Sequence, residues 1–312
     1  MRETIKIGVS SAASWAWGTS LVMGMMIAQE KGLAAFVIWA VANSLTLALI
    51  GALFKYNIIR PEVYRSKASK VIAIIIQMFC LIIQMNIINQ ILGTYIFSNP
   101  CLSYVATVVI GCVFVIAMYK KGLETSMFTD VFQWCIAMVG IVIICGLGLF
   151  YNVPKMVIPV SGESDILWGL WSACILFAGP IGDVQHWQRC EADKSKNGYY
   201  WGAAFFWLYM LLVLRQAQFQ FNDAMGMVLL VITLCVTTST IDSIAVAMHE
   251  LGNKKIGTII SLVICVFWGV FVNTGIIALW SNFGVVRVAY AVLIVAASLY
   301  LNRKRVANNA DN

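Results

Sequence analysis

A dense polar run lies inside a long apolar segment of the second half of the chain, where residues 236–243 read Val-Thr-Thr-Ser-Thr-Ile-Asp-Ser. At about 100° per residue, Val236, Ser239, Thr240 and Ser243 share one helical face. Hydroxyl oxygens joined by backbone carbonyls of an unwound neighbouring helix form the all-oxygen cage that a small hard cation such as Na⁺ prefers. The alternative is that these hydroxyls bond back to carbonyls of their own helix, as Ser and Thr often do in membranes.

Other polar side chains fall inside apolar segments, where they are costly and usually face an interior or a water-filled path. Asp242 lies about 60° around the helix from Ser239, close enough to influence an ion or to pair with a neighbouring helix. Gln84 and Asn43 carry amides that suit a neutral polar solute and that equally hold helices together. We therefore regard Asn43, Gln84 and Asp242 as candidates for a solute pocket or gate.

The elements that must position these residues are membrane helices. Of the 312 residues, 61% are hydrophobic and 11% are charged, which excludes a water-soluble globule and a nucleic-acid-binding protein. A bilayer-spanning helix needs about 20 mostly apolar residues. Cutting the chain at its charged and turn residues predicts ten spans: Ile7–Ala28, Leu33–Phe54, Val71–Phe97, Leu102–Tyr119, Val131–Tyr151, Ile166–Val184, Gly198–Leu214, Ala224–Met248, Ile256–Leu279 and Val285–Leu301.

The basic residues predict the orientation of these spans, because cytoplasmic loops retain Lys and Arg. Seventeen of the 21 lie on one set of alternate connections. The exceptions are Lys31, Lys155, Arg215 and Arg287, the last just inside the tenth span. We expect a multi-pass protein of the plasma (inner) membrane with both termini in the cytoplasm.

Chemistry of other kinds has little support in the sequence. The nine cysteines show no paired metal-like spacing, and we interpret them as apolar packing residues. No HExxH motif, Gly-rich phosphate loop or Ser/His/Asp set is present, so an enzyme is not expected.

The chain divides into two similar halves, residues 6–151 and 165–302, within a single membrane domain. Each half has five spans, an odd number, so the second half must enter the membrane from the opposite side. This is the topology of an inverted repeat, with broken helices 1 and 6. In span six, Gly179 and Pro180 precede Asp183, and proline removes a backbone donor, so local unwinding is expected there. The alternative is close packing through small residues and a simple proline kink.

Four segments together resemble the sodium:solute symporter family, closest to its urea active transporter branch. Residues 14–17 read Ser-Trp-Ala-Trp, similar to that branch's Ser-Trp-x-Trp pattern. Residues 122–133 have the spacing of the family's Gly-Leu and Thr-Asp-x-x-Gln element, and residues 183–189 resemble its Asp-x-x-x-Trp-Gln-Arg signature. Residues 238–240 match the branch's Thr-Ser-Thr. The likeness covers the whole ten-helix core.

The resemblance implies the inverted-repeat fold shared with LeuT and alternating access. It also implies a sodium site formed by the carbonyls of Ala13, Ala16 and Val236 with the hydroxyls of Ser239 and Thr240, protons being the other possible coupling ion.

Further residues map onto family positions. Asp130 maps beside the inward sodium exit, although its charge would also suit the start of a helix. Gln188 and Arg189 map to an element of the inner gate, although Arg189 alone would be interpreted as an interfacial anchor. The remaining pocket or gate candidates are Ser14, Trp15, Trp17, Asp183 and Trp187, and Trp near span ends is often an interface anchor.

The function expected is sodium-coupled symport of a small polar solute, urea or similar, by alternating access in the lipid bilayer. The oligomeric state is left open. A short outside connection, Arg215 to Asp223, and the absence of the flanking spans common in the family favour an alternative. In that alternative the chain is a trimmed, non-transporting relative that binds ion or solute as a sensor or assembly partner.

Overall fold

The computed structural model describes residues 2–272 and 275–310. This part of the chain forms twelve α-helices: α1 (Arg2–Trp15), α2 (Gly18–Lys55), α3 (Pro61–Tyr64), α4 (Lys67–Tyr95), α5 (Pro100–Met118), α6 (Leu123–Phe150), α7 (Glu163–Ala178), α8 (Val184–Ala192), α9 (Gly198–Gln216), α10 (Asp223–Leu251), α11 (Lys254–Phe267) and α12 (Ile276–Ala310). A 3₁₀ turn, Trp268–Phe271, extends α11. Within these residues there is no strand, only an isolated antiparallel bridge between Lys155 and Phe219.

Seven helices of the described chain are long and apolar enough to cross a membrane: Gly18–Lys55, Lys67–Tyr95, Pro100–Met118, Leu123–Phe150, Asp223–Leu251, Lys254–Phe271 and Ile276–Arg305. The protein is therefore an all-helical polytopic membrane protein, and the prediction of that class is confirmed.

Helix α5 illustrates how the bundle is arranged for lipid. Its outward face carries Val105, Val109 and Val113, each more than half exposed, whereas its inward face carries Ser103 and Thr107. Large apolar residues outside and small or hydroxylated ones inside are the pattern of a membrane helix, because lipid accepts the former and close packing needs the latter.

Polar side chains fix where several helices begin. Asn99, Asn222 and Asn253 precede α5, α10 and α11, and the side chain of each accepts a hydrogen bond from a backbone N–H in the first turn. Ser66 does the same for α4 by accepting from Ser69 N at 3.2 Å. These caps satisfy donors that a helix start otherwise leaves without partners.

Helix α2 contains a sharp turn at Gly32, which has φ 82° and ψ 178°. A Cβ at this position would lie 2.5 Å from the carbonyl oxygen of Pro159. Only glycine fits both the backbone angle and the close approach. The turn divides α2 into two arms, residues 18–31 and 33–55.

The ninth predicted span, Ile256–Leu279, was placed incorrectly. The helix and its 3₁₀ turn end at Phe271, and α12 begins at Ile276, nine residues before the predicted start at Val285. Residues 273 and 274 lie outside the described part of the chain. The apolar run continues without a charge through the connection, so hydropathy alone gave no boundary there.

The core of the bundle surrounds α10, which packs against α4 and α6 and touches α1. From Val236 to Met248 every residue of α10 is buried. Helix α2 packs against α7 and α9. The polar run of α10 thus lies at the centre of the protein, away from lipid.

Candidate solute and ion site

Two helices are interrupted near the middle of the bundle. Helix α1 ends at Trp15 and α2 begins at Gly18. Helix α7 ends at Ala178 and α8 begins at Val184, so the chain unwinds at the predicted Gly179-Pro180. The freed backbone groups find side-chain partners: Gly18 N donates to Gln84 Oε1 at 3.1 Å, and Gln185 N donates to Asp183 Oδ1 at 3.3 Å.

The two interruptions lie against each other. A Cβ on Gly179 would come within 2.4 Å of Trp15 Cη2, so only glycine allows this approach. The Trp15 ring also lies 5.2 Å from the ring of His186 in α8, and its Nε1 donates to the carbonyl of Asn43 at 2.9 Å. Trp15 therefore joins both breaks to the second arm of α2.

A fully buried arginine from α12 reaches the same place. The Arg287 guanidinium lies 4.8 Å from the ring centroid of Trp17 and 5.6 Å from that of Trp15. Its Nη2 lies 3.5 Å from Asp183 Oδ2, and both side chains are almost completely inaccessible. Sequence reasoning missed Arg287 as a site residue, although a basic residue within a span was a signal that could have identified it.

Asp183 is held by amides as well as by charge. Its Oδ1 accepts from Gln77 Nε2 at 2.8 Å, and its Oδ2 accepts from Gln185 Nε2 at 2.8 Å. With the Gln185 backbone bond, the carboxylate accepts hydrogen bonds from three N–H groups at the start of α8.

The predicted sodium ligands on α10 are engaged with protein partners. Thr240 Oγ1 donates to the carbonyl of Val236 at 3.0 Å, the backbone bond considered above as the alternative. Ser239 Oγ donates to Asp130 Oδ1 at 2.7 Å. A hydroxyl keeps its lone pairs when it donates, so Ser239 Oγ and Thr240 Oγ1 still have coordination capacity. The Val236 carbonyl already accepts from Thr240 Oγ1 in addition to its helical hydrogen bond.

The α1 residues predicted beside them are also buried. Ala13 lies in the last turn of α1, and Ala16 lies in the break, where its N–H donates to the carbonyl of Ala12 at 2.8 Å. The hydroxyl of Ser14, a predicted pocket residue, donates to the carbonyl of Ser10 within the same helix.

A second buried ion pair joins α6 to α8. Arg189 Nη2 donates to Asp130 Oδ2 at 2.7 Å, and both side chains have no accessible surface. The guanidinium also donates to Ser10 Oγ at 2.9 Å, to Ser243 Oγ at 2.8 Å and to the Gln185 carbonyl at 2.7 Å.

This burial corrects two of the simpler interpretations. An interfacial anchor would expose its guanidinium, whereas Arg189 is enclosed. Asp130 lies seven residues after the start of α6 at Leu123, beyond the first turn where a helix dipole acts. The pair instead links α1, α6, α8 and α10.

Asp242 is buried beside this network and pairs with a neighbouring helix by a hydrogen bond. Thr129 Oγ1 of α6 donates to Asp242 Oδ2 at 3.1 Å, while Oδ1 has no hydrogen-bond partner among the described residues. Asp242 is adjacent in sequence to Ser243, which accepts a hydrogen bond from Arg189. Asp242 itself makes no hydrogen bond to Arg189.

A further gate candidate, Gln188, lies in the middle of α8. Gln188 Nε2 donates to Glu250 Oε2 of α10. An open cavity of about 440 Å³ lies beside this bond and is lined by Lys120, Lys121, Gln188, Glu191, His249 and Glu250, among others. We call this cavity the vestibule; its lining residue Gln188 is the neighbour in sequence of the buried Arg189.

The tryptophans are not interface anchors. Trp15, Trp17 and Trp187 are all at most 3% exposed. Trp187 stacks on Tyr64 with ring centroids 4.3 Å apart, and Tyr64 donates its hydroxyl to the carbonyl of Ile181 in the second break. Burial raises the pKa of the Tyr64 phenol well above its usual value, so it remains a donor to that carbonyl.

Neither a protein-family model nor a curated protein matches the chain. The functional argument therefore depends on the residues and their geometry.

Proposed function

We propose that this protein is a secondary active transporter that couples the movement of Na⁺ to that of a small polar solute by alternating access. The observation that carries the proposal is the meeting of two interrupted helices at Trp15 and Gly179, around buried polar groups. Transporters bind solute and coupling ions at such paired breaks, because unwound backbone and helix ends supply ligands within the membrane.

The order of the elements supports a ten-span, 5+5 inverted repeat. In the first half, an interrupted span made of α1 and the first arm of α2 is followed by the second arm, α4, α5 and α6. In the second half, the interrupted pair α7 and α8 is followed by α9, α10, α11 and α12. Each half therefore begins with a broken helix followed by four continuous spans.

In this proposal, sodium is held by the carbonyls of Ala13, Ala16 and Val236 and by the hydroxyls of Ser239 and Thr240. The burial of all five residues and the packing of α1 against α10 support the assignment. The Asp130–Arg189 pair, with Gln188 and Glu250, closes the path toward the vestibule. Basic residues around that vestibule favour a cytoplasmic location for it and for both termini, in the plasma membrane.

In this proposal the solute binds beside the two breaks, near Trp15, Trp17, Asn43, Gln84 and Asp183. One charge moving through 100 mV provides about 2.3 kcal/mol, which concentrates a neutral solute about fortyfold. The family resemblance makes urea the first solute to test.

The test is uptake of labelled urea and other small polar solutes by the full chain in proteoliposomes, with and without an inward sodium gradient. We expect the gradient to accelerate uptake and Thr240→Ala to reduce that acceleration at least tenfold. Thr233→Ala is the matched control, because Thr233 lies on α10, is equally buried and makes the same backbone bond, to Leu229. A proton gradient in place of sodium tests the other coupling ion.

Uptake that ignores the sodium gradient and the Thr240 substitution would overturn the proposal. Sodium-dependent thermal stabilisation by a solute, without any uptake, would instead identify a non-transporting sensor or assembly partner.

A further inference from the structure

Arg287 is enclosed by aromatic side chains at the point where the two helix breaks meet. Its guanidinium carbon lies 4.8 Å, 5.6 Å and 5.8 Å from the ring centroids of Trp17, Trp15 and Phe283. Only about 1% of the residue is exposed. Aromatic faces stabilise a cation but accept no conventional hydrogen bonds, so they leave its N–H donors available.

The donors of Arg287 are not used by the protein. Nε and Nη2 form no hydrogen bond with any residue of the described chain. These two nitrogens lie along one edge of the guanidinium and direct two N–H bonds the same way. An unfilled buried donor on a charged group is costly, so a ligand that fills both is strongly favoured.

Asp183 balances the charge of Arg287 without filling this edge. Its nearer oxygen is 3.5 Å from Nη2, and the carboxylate already accepts from the side chain of Gln77 and from the side chain and backbone of Gln185. The amides hold Asp183 at the start of α8. Arg287 therefore has a counter-ion but lacks acceptors.

The surroundings add further donors. Trp17 Nε1 and Gln84 Nε2 are buried and form no hydrogen bond with the described residues. Trp17 is the residue before α2, and its side chain does not cap this helix in the described structure. The N-terminal end of α2, which carries a partial positive charge, therefore faces the break. Together with Nε and Nη2 of Arg287, these donors favour a ligand that is rich in hydrogen-bond acceptors. Among the described residues, the amide oxygens of Gln77 and Gln185, whose nitrogens hold Asp183, are also without a hydrogen-bond partner.

We propose that the transported solute is a small carboxylate, bound by Arg287 through Nε and Nη2 with Trp17 beside it. Two parallel carboxylate oxygens match two parallel N–H bonds, whereas the single oxygen of urea or an amide offers one acceptor. This inference depends on the proposed function and narrows its solute class; a sodium ion moving with the solute would compensate the added negative charge.

The competing account is that Arg287 is only a structural counter-ion for Asp183. Changing Arg287 alone would leave Asp183 buried and unpaired, and the protein could fail to fold.

The double variant Asp183→Asn/Arg287→Gln removes both charges together and preserves the balance. Arg287→Lys keeps the charge and removes the planar pair of donors. Arg303→Gln, on the exposed end of α12, is the matched control.

The experiment is calorimetric binding to the purified full chain in sodium-containing buffer. The probes are three carboxylates and their near-isosteric amides: formate and formamide, acetate and acetamide, glycolate and glycolamide, with urea added. We expect at least one carboxylate to bind tenfold or more tightly than its amide. We expect that preference to disappear in the double variant, to fall about tenfold in Arg287→Lys and to persist in Arg303→Gln.

Absence of a carboxylate preference in the wild type would overturn the inference, as would a preference that persists in a folded double variant. Binding does not require transport, so the two proposals fail separately. Sodium-driven urea uptake without carboxylate binding would contradict this inference alone. Carboxylate binding that depends on Arg287, without sodium-driven uptake, would contradict the symport mechanism alone.

Discussion

Two buried arginines differ in how the protein satisfies them. Arg189 donates to Asp130, Ser10, Ser243 and the Gln185 carbonyl, so its charge and its hydrogen bonds are both compensated. Arg287 has a counter-ion and unfilled donors. Arg189 and these four partners therefore form a fully hydrogen-bonded network, which we call the latch. Arg287, in contrast, has the properties of a binding group.

The latch leads to a prediction for stability. Asp130→Asn would leave the Arg189 guanidinium buried without a counter-ion, which costs about 3–5 kcal/mol. We expect a large fall in the free energy of unfolding, measured by equilibrium unfolding in detergent. Asp223→Asn, at an exposed helix start, should cost less than about 1 kcal/mol. Equal effects of the two substitutions would contradict the account of the latch.

Sequence reasoning identified some of these residues but not their partners. Asp130 and Arg189 were candidates through resemblance, yet 59 positions separate them, and no local pattern indicates that they pair. Arg287 is one of the exceptions in the charge count, placed just inside the tenth span, and nothing near it in the sequence indicates that Trp17 and Asp183 surround it. The sequence also does not indicate that the hydroxyls of Ser14 and Ser239 donate to Ser10 and Asp130, because a hydroxyl's bonding partner depends on packing that is not encoded locally.

At the scale of elements, residues that lack a side chain or a backbone donor determine where the helices are interrupted. Pro180 and the two flanking glycines predicted the break between α7 and α8, and the structure has it there. Two tryptophans beside the break between α1 and α2 gave a weaker signal, because neither disfavours a helix strongly. The connection after α11 was missed because it is as apolar as the helices around it.

The contact between the breaks can be tested at Gly179. Gly179→Ala would put a Cβ 2.4 Å from Trp15 Cη2 and 3.2 Å from Arg287 Nη2. We expect destabilisation of about 1–3 kcal/mol from overpacking, measured by the same detergent unfolding. Gly146→Ala, on α6 with no atom within 4 Å of the added Cβ, should be neutral or slightly stabilising. If Gly179→Ala is as mild as Gly146→Ala, the breaks are not in close contact.

At the scale of the whole molecule, the two ends of the bundle are closed differently. At the end that carries Lys155, residues 153–162 lie against the Gly32 turn of α2 and meet the short connection after α9. Met156 N donates to the Gln218 carbonyl at 2.8 Å, and Gln29 Nε2 donates to the Ala217 carbonyl at 3.0 Å. Residues 153–162 thus cover this end of the bundle. The short connection from Arg215 to Asp223 alone would be too small to do so.

At the opposite end, the vestibule stops at Gln188 and the Arg189 latch. The breaks lie between these two barriers, and Trp15, Trp17 and Arg287 are inaccessible from either side. A site enclosed at both ends suits alternating access, because each barrier can open while the other remains closed. A continuous pore would leave the site accessible.

The central claim is that ion and solute cross together, and solute-stimulated sodium entry tests it most directly. Radioactive sodium uptake is measured in proteoliposomes before and after adding solute to the same side, using urea and the carboxylate that binds most tightly. The account predicts that one of these solutes accelerates sodium entry severalfold and that Thr240→Ala abolishes the acceleration. Sodium entry that is unchanged by every solute that binds would contradict it.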